Sequence, residues 1–275
     1  MNIQKITDLL INAGIEENEA KTEVKMLLEH FCQYTEIDRL KGIELDSEKI
    51  SLVHEKVLER IENRKPIQHI IGKAWFMGEY FKVTPDVLIP RDETELVVSK
   101  AIDIIKENNL TNILDIGTGS GCIACTIAKR TKAVVLGIDI SSDALRIALD
   151  NVTALGINNR AVFRKSDLYS KIREEEKFDM IISNPPYIPY GTQLSPEVMH
   201  EPKEALFADE NGLKIYREII ESAPQFLNSN GWIIFELGID ESHAVKNFLE
   251  KDFKNITILK DFAGIDRIIY AQYKY

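Results

Sequence analysis

Three cysteines in 275 residues are too few and too scattered to form a disulfide framework. Cys32 stands alone. Cys122 and Cys125 have C-x-x-C spacing, but they fall where a helix should begin behind a glycine loop, with no second cysteine pair or histidine cluster beside them. They read as packing residues rather than redox or zinc ligands. The five histidines are scattered singly, so no metal is expected. A cationic surplus is missing as well: 34 Lys and Arg face 44 Asp and Glu, a net charge of −10. Binding to a nucleic-acid backbone usually leaves a basic footprint. The longest basic cluster, Lys129-Arg130-Thr131-Lys132, instead closes a predicted helix, where cations suit the dipole. The acidic run Glu174-Glu175-Glu176 reads as a solvated loop. No apolar run has membrane-spanning length, and Met1-Asn2-Ile3-Gln4-Lys5 lacks signal-peptide character, so a soluble cytoplasmic protein is expected. Internal repeats and low-complexity segments are also lacking.

Apolar residues make up 44% of the chain, ample for a core, and their spacing changes twice. Residues 1–64 carry helical stripes: Ile3, Ile6, Leu9 and Leu10, then Ala20, Val24, Leu27, Leu28 and Phe31, then Ile50, Val53, Val57 and Ile61 behind an Asp46 N-cap. Gly14 suits the position after the first helix, and Pro66 follows the last. This predicts a small helical bundle that covers or docks something. Residues 65–91 hold Trp75, Phe76, Tyr80, Phe81, Val83, Val87 and Leu88 punctuated by Gly78, and predict a β-hairpin linker. From residue 92 to 275, strands and helices alternate. The expected strands are 112–116, 133–139, 161–165, 178–183, 231–237, 255–260 and 266–273. The expected helices are 93–108, 120–130, 142–155, 212–226 and 240–250. Such alternation predicts an α/β domain with a mostly parallel, seven-stranded sheet covered on both faces. The last two strands share only a hairpin connection, so one of them must run antiparallel.

Ile113-Leu114-Asp115-Ile116-Gly117-Thr118-Gly119-Ser120-Gly121 runs from a strand through a glycine turn into a helix. Glycines there let the backbone approach a ligand near a helix N-terminus. The dinucleotide fingerprint is G-x-G-x-x-G, whereas here position 122 is Cys. Asp115 would also oppose a pyrophosphate, but it suits a ligand with a cationic amine and a sulfonium. Strand 133–139 ends in Asp139, about 20 residues beyond Gly117, where a carboxylate can accept from both ribose hydroxyls. Asp167 follows the next strand and could accept an adenine amine, with Leu168 against the ring. A simple loop aspartate fits that position equally well.

Asn184-Pro185-Pro186-Tyr187 follows the apolar strand Phe178-Asp179-Met180-Ile181-Ile182-Ser183, at the carboxyl end where open α/β sheets bind ligands. Two prolines fix φ and remove two donors. Carbonyls, an amide and a flat ring can then grip a planar –NH2 group. A plain turn is the alternative for the tetrapeptide alone.

In this order and placement, the motifs resemble a class I S-adenosylmethionine-dependent methyltransferase of Rossmann-like fold that acts on a planar nitrogen. N-P-P-Y serves both adenine-N6 methyltransferases and the enzymes that methylate the Gly-Gly-Gln glutamine of peptide-chain release factors. The chain resembles the latter, the PrmC/HemK family, nearly end to end. The matching segments are Pro66-Ile67-Gln68-His69-Ile70-Ile71-Gly72, Phe81-Lys82-Val83-Thr84-Pro85, Leu88-Ile89-Pro90-Arg91-x-x-Thr94-Glu95, Glu201-Pro202-x-x-Ala205-Leu206, Gly212-Leu213 and Gly264-x-Asp266-Arg267. Asn211 stands where the family pattern has Asp, and Ile265 where Arg is usual.

The resemblance implies that the cofactor S-adenosylmethionine, leaving as S-adenosylhomocysteine, lies on Asp115, Gly117, Thr118, Gly119, Ser120, Gly121, Asp139, Asp167, Leu168 and Asn184. It implies a release-factor glutamine held by Asn184, Pro185, Pro186 and Tyr187, with Arg91 and Glu95 nearby. Asn184, Pro185 and Tyr187 would be catalytic. Peptide-chain release factors would be the protein partners, with no direct nucleic-acid or membrane binding. Salt-sensitive nucleic-acid binding would favour an adenine methyltransferase instead. The glycine spacing and Asp115 oppose a nicotinamide oxidoreductase, and the full set of site residues opposes a non-catalytic module.

Overall fold

The computed structural model describes residues 2–275, which fall into two compact units, 2–73 with 194–200, and 74–193 with 201–275. The first unit is helical: α1 (Ile3–Asn12), α2 (Glu17–Cys32), α3 (Glu36–Leu40), α4 (Ser47–Asn63) and α5 (Ile67–Ile71). Side-chain caps from Asn2, Glu16, Thr35 and Asp46 set the starts of α1 to α4. Asn2 accepts from Lys5 N at 3.0 Å, and Asp46 accepts from Lys49 N at 2.8 Å. Ile6, Leu10, Ala20, Val24, Leu27, Val53 and Val57 share one core. At about 1.5–3 kcal/mol per buried aliphatic side chain, that core holds helices too short to persist alone.

Helix α5 lies inside the segment expected to be a hairpin linker. Ile67, Ile70 and Ile71 repeat at helical spacing between Pro66 and Gly72, and Ile67 and Ile71 bury into the helical core. The division therefore comes at 73/74 rather than 64/65. Residues 194–200 also belong with the helices: Glu197 accepts from the buried Arg60 at 3.1 Å, and Arg60 pairs with Glu23 on its other side at 3.1 Å.

The second unit starts with a hairpin, β1 (Lys73–Phe76) and β2 (Glu79–Lys82), which turns at Met77-Gly78. It continues as α6 (Asp92–Asn108), β3 (Asn112–Ile116), α7 (Cys122–Arg130), β4 (Val134–Asp139), α8 (Ser142–Ala154), β5 (Ala161–Lys165) and β6 (Phe178–Ser183). The long connection expected next holds β7 (Ile188–Pro189), α9 (Lys203–Leu206) and β8 (Phe207–Ala208), with β7 and β8 paired in parallel. Next come α10 (Lys214–Ser222), β9 (Leu227–Glu236), α11 (Ser242–Leu249), β10 (Phe253–Lys260) and β11 (Asp266–Tyr273). Helix α10 is shorter than expected at both ends. Gly212 stands in left-handed backbone before it, and Pro224, which lacks an N–H, turns the far end into a 3₁₀ turn at Ala223–Gln225. Strand β9 begins earlier than expected, at Leu227, with a register shift against β6 between Phe178 and Met180.

The seven-stranded sheet has the order β10-β11-β9-β6-β3-β4-β5, with β11 antiparallel to both neighbours. From β3 the chain steps outward through β4 to β5, then returns to the other side of β3 as β6. The switch point thus lies between β3 and β6, where their carboxyl ends open a crevice. Val97, Ala101, Ile123 and Ile127 fill the core on one face, and Tyr216, Ile219, Val245 and Leu249 fill it on the other. Among the described residues, no helix is long and apolar enough to cross a membrane.

Candidate active site

Parallel register sets the expected ligand residues side by side. Ile116 at the end of β3 pairs with Ser183 of β6 and with Ile138 of β4, and Asp139 pairs with Lys165 of β5. Asn184, the glycine loop, Asp139 and Ser166-Asp167 therefore line successive strand ends. With strands about 4.8 Å apart, that row is about 14 Å long, the scale of an extended nucleoside with an amino-acid arm.

Gly117, Gly119 and Gly121 all have positive φ, at +73°, +53° and +78°. Their backbone turns in a way that L side chains resist, and Gly121 delivers the chain into α7. Gly117 is exposed and Gly119 partly so, whereas Thr118, Ser120 and Gly121 are buried. Two carboxylates fasten the loop. Thr118 Oγ1 donates to Asp115 Oδ2 at 2.6 Å, and Gly119 N donates to Asp139 Oδ2 at 2.9 Å. Ser141 N donates to Asp139 Oδ1 at 2.9 Å, while Ser141 itself caps α8. Burial still holds the Asp139 carboxyl above its usual range.

Asp115 lies beneath the loop, fully enclosed, and not on its open face. Its Oδ1 has no partner in good hydrogen-bond geometry, and burial, helped by the Asp139 charge, pushes its carboxyl up to about 7 against the Thr118 hydroxyl and the nearby Ala124 N–H. A buried carboxylate short of partners sets a negative potential behind the loop. That environment fits a ligand with positive charge and opposes a pyrophosphate. At the far end, Asp167 is exposed, and Leu168 takes a positive φ of +43°, with its carbonyl accepting from Ser166 Oγ at 2.5 Å. A leucine in that region is held there by its surroundings at a cost of about 1 kcal/mol.

Pro185 is buried, and Asn184, Pro186 and Tyr187 are half-buried. Asn184 Nδ2 donates to Thr94 Oγ1 at 3.2 Å, and Thr94 Oγ1 donates to Glu236 Oε2 at 2.6 Å. Tyr187 sits between two glycines. A Cβ at Gly238 would meet its ring at 2.8 Å, and one at Gly212 would meet its carbonyl at 2.1 Å. Gly212 also has φ +91°, so Gly212→Ala combines backbone strain with an immovable clash. It is expected to destabilise the unit by at least about 1–3 kcal/mol, measured as a lower urea midpoint.

Arg91 and Glu95, expected near a substrate, carry other bonds. Arg91 forms an ion pair with the buried Glu201, which also accepts from Ile89 N at 2.9 Å. Glu95 accepts from Met77 N, tying the hairpin turn to α6. The Cys122 and Cys125 thiols are buried in α7, and burial pushes the first up to about 12, which leaves both protonated and inert. Among the described residues, no group of three or more His, Cys, Asp or Glu could hold a metal ion. Glu236 went unread in the sequence, although a lone carboxylate closing the apolar run Trp232-Ile233-Ile234-Phe235 is the same signal that marked Asp139.

A doubly wound sheet with a glycine loop and acidic strand ends defines the class I methyltransferase fold. Accordingly, residues 94–206 match the family model of the methyltransferase small domain. Two solved structures share the fold. The hMettl16 catalytic domain, 13% identical, has a TM-score of 0.58 over 91% of each chain. A T. thermophilus 16S rRNA N2 methyltransferase solved with AdoMet and guanosine, 17% identical, has a TM-score of 0.54 over 74% of this chain and 50% of that one. Residues 3–72 match the PrmC N-terminal domain model. The release factor glutamine methyltransferase of Clostridium acetobutylicum is 38% identical over 97% of this chain and 98% of its own length. That of Geobacter sulfurreducens is 35% identical over 97% and 95%. The Fusobacterium nucleatum relative is 39% identical over 83% of this chain, which spans 66% of its length. The chain belongs to the release factor glutamine methyltransferase family, and it is an enzyme.

Proposed function

We propose that this enzyme moves a methyl group from S-adenosylmethionine to the side-chain amide nitrogen of the Gly-Gly-Gln glutamine in peptide-chain release factors, in the cytoplasm. The observation that carries this reading is the Asn184-Pro185-Pro186-Tyr187 turn at the switch point, one strand from the glycine loop. When bound, S-adenosylmethionine supplies an already activated methyl on a sulfonium. At Gly117 and Gly119, whose N–H groups are already held by Ile138 O and Asp139, the backbone carbonyls remain to accept from its amino-acid arm, Asp139 has acceptor positions for ribose hydroxyls, and Asp167 with Leu168 flanks the base. Asp115 acts through its field from beneath.

An amide nitrogen is a poor nucleophile because its lone pair is delocalised into the carbonyl. Positioning and electrostatics must therefore supply most of the rate. Asn184 Oδ1 and the Pro185 carbonyl accept the two N–H bonds of the glutamine, which shifts electron density onto its nitrogen, and Tyr187 packs against the amide plane. A strong base is not required, since the proton can leave after transfer. Arg91 holds Glu201 and Glu95 holds the hairpin turn, so both act on the surrounding structure rather than on the glutamine. In the helical unit Ile37, Leu40 and Ile43 are exposed, a surface suited to docking a protein substrate.

Transfer of labelled methyl to unmodified release factor, with none to DNA or RNA, is the expected result. Transfer to adenine instead would overturn the substrate. Cofactor affinity should also depend on pH. A nearby cation favours ionised Asp115, so binding lowers its pKa from about 7 and releases a proton. Affinity should then rise as pH increases from about 5 towards 7 and level off above, and Asp115→Asn should flatten that slope in calorimetric titrations.

A further inference from the structure

We propose that Glu236 and Thr94 are positioning residues that set the direction of the Asn184 amide, so that its oxygen, rather than its NH2, faces the substrate nitrogen. This rests on the reading of Asn184 as the acceptor for the glutamine amide. An asparagine amide is nearly symmetric in shape, and a flip of its two ends would present a donor to a substrate that is itself a donor. Something must forbid the flip, and the two prolines that follow act only on the backbone.

The chain of bonds behind Asn184 forbids it. Glu236 closes β9 at 1% exposure, and Thr94 stands in the first turn of α6 at 3%. An ionised carboxylate can only accept, so the Thr94 hydroxyl donates its single hydrogen to Glu236 Oε2, at 2.6 Å. The Thr94 oxygen is then left as an acceptor, and the group that meets it, at 3.2 Å, must donate. Asn184 therefore turns its NH2 inward, and its Oδ1 points the other way. A charged group at one end of the relay fixes the polarity at the other.

The surroundings serve this role. Tyr216 OH donates to the Glu236 carbonyl at 2.7 Å, and Arg267 donates to the Leu237 carbonyl at 2.8 Å, which holds the strand end still. Burial pushes the Glu236 carboxyl up to about 7, opposed first by the Thr94 hydroxyl and then by the charge of Arg267 and Arg91, while Glu93 pushes it further up, so the ionised form that sets the relay's direction prevails as pH rises above about 7 and is lost below it. Dry surroundings also strengthen each bond of the relay.

Thr94→Val keeps the shape and removes the relay, whereas Thr94→Ser keeps the hydroxyl. E236Q keeps the shape but lets the end group donate as well as accept, so the relay can run either way. The full-length enzyme would be assayed with S-adenosylmethionine and release factor, alongside calorimetric cofactor affinity and thermal melting. Expected results are a loss in kcat of about 10- to 100-fold for Thr94→Val and E236Q, smaller than removal of a whole transition-state hydrogen-bonding group. Cofactor Kd should stay within about 2-fold, and Thr94→Ser should restore most of kcat. If Thr94→Val and E236Q hold wild-type kcat while Asn184→Ala is inactive, the relay is overturned and the reading of Asn184 stands. If Asn184→Ala itself keeps its turnover, that reading falls and the relay has nothing to position. If Thr94→Val fails to fold, E236Q against Thr94→Ser decides by the same kcat comparison.

Discussion

Asn184→Ala lowers methyl transfer at saturating cofactor by about 10²- to 10³-fold, roughly 3–4 kcal/mol of barrier. The magnitude follows from what the side chain supplies. The nucleophile is an amide, so rate depends on withdrawing its N–H hydrogens into fixed acceptors while the nitrogen is aimed at the methyl. Asn184 is one of two such acceptors, and it stands in a half-buried turn that two prolines hold rigid. Loss of an acceptor there also frees the substrate amide to rotate, which costs alignment. A single-turnover assay at saturating cofactor separates this from binding, and near-native turnover in Asn184→Ala would refute the assignment.

Asp139→Ala weakens cofactor binding by about 100-fold and leaves kcat at saturating cofactor nearly intact. A carboxylate has about four acceptor positions. Two of those on Asp139 are taken by Gly119 N and Ser141 N, which leaves two for ribose hydroxyls. Hydrogen bonds to a charged group contribute about 1.5–3 kcal/mol each, so losing both ribose bonds costs about 3 kcal/mol or more, equivalent to that change in Kd. The substitution also frees Gly119 from its anchor and loosens the loop. Calorimetric titration reads the effect directly, and an unchanged Kd would contradict the role of Asp139.

Much of this was legible in the sequence because strand ends in a parallel sheet carry strong local signals. Strands β3, β5, β6 and β11 have the bounds that their apolar runs predicted, and the glycine loop follows directly from β3. Asp139 and Asn184 stand at the strand ends where the reading put them. The misses have physical causes. Helix α5 is only five residues long and lies among strand-like aromatics, so its 3.6-residue period was hidden. The grouping of residues 194–200 with the helical unit depends on Arg60 reaching Glu197 across 137 positions, which no local pattern records. The relay from Glu236 through Thr94 to Asn184 joins residues 142 and 90 positions apart, and Thr94 in sequence is only one polar residue in the first turn of a helix. The complete burial of Asp115 reflects packing above it, and spacing shows only that it precedes the loop.

Peptide mass spectrometry of unmodified release factor after incubation with the enzyme and S-adenosylmethionine identifies the methylated atom's residue outright. One added methyl is expected on the Gly-Gly-Gln glutamine side chain, and none when Asn184→Ala replaces the wild type. A methyl on any other residue, or none on the release factor while a nucleic acid is methylated, would contradict it.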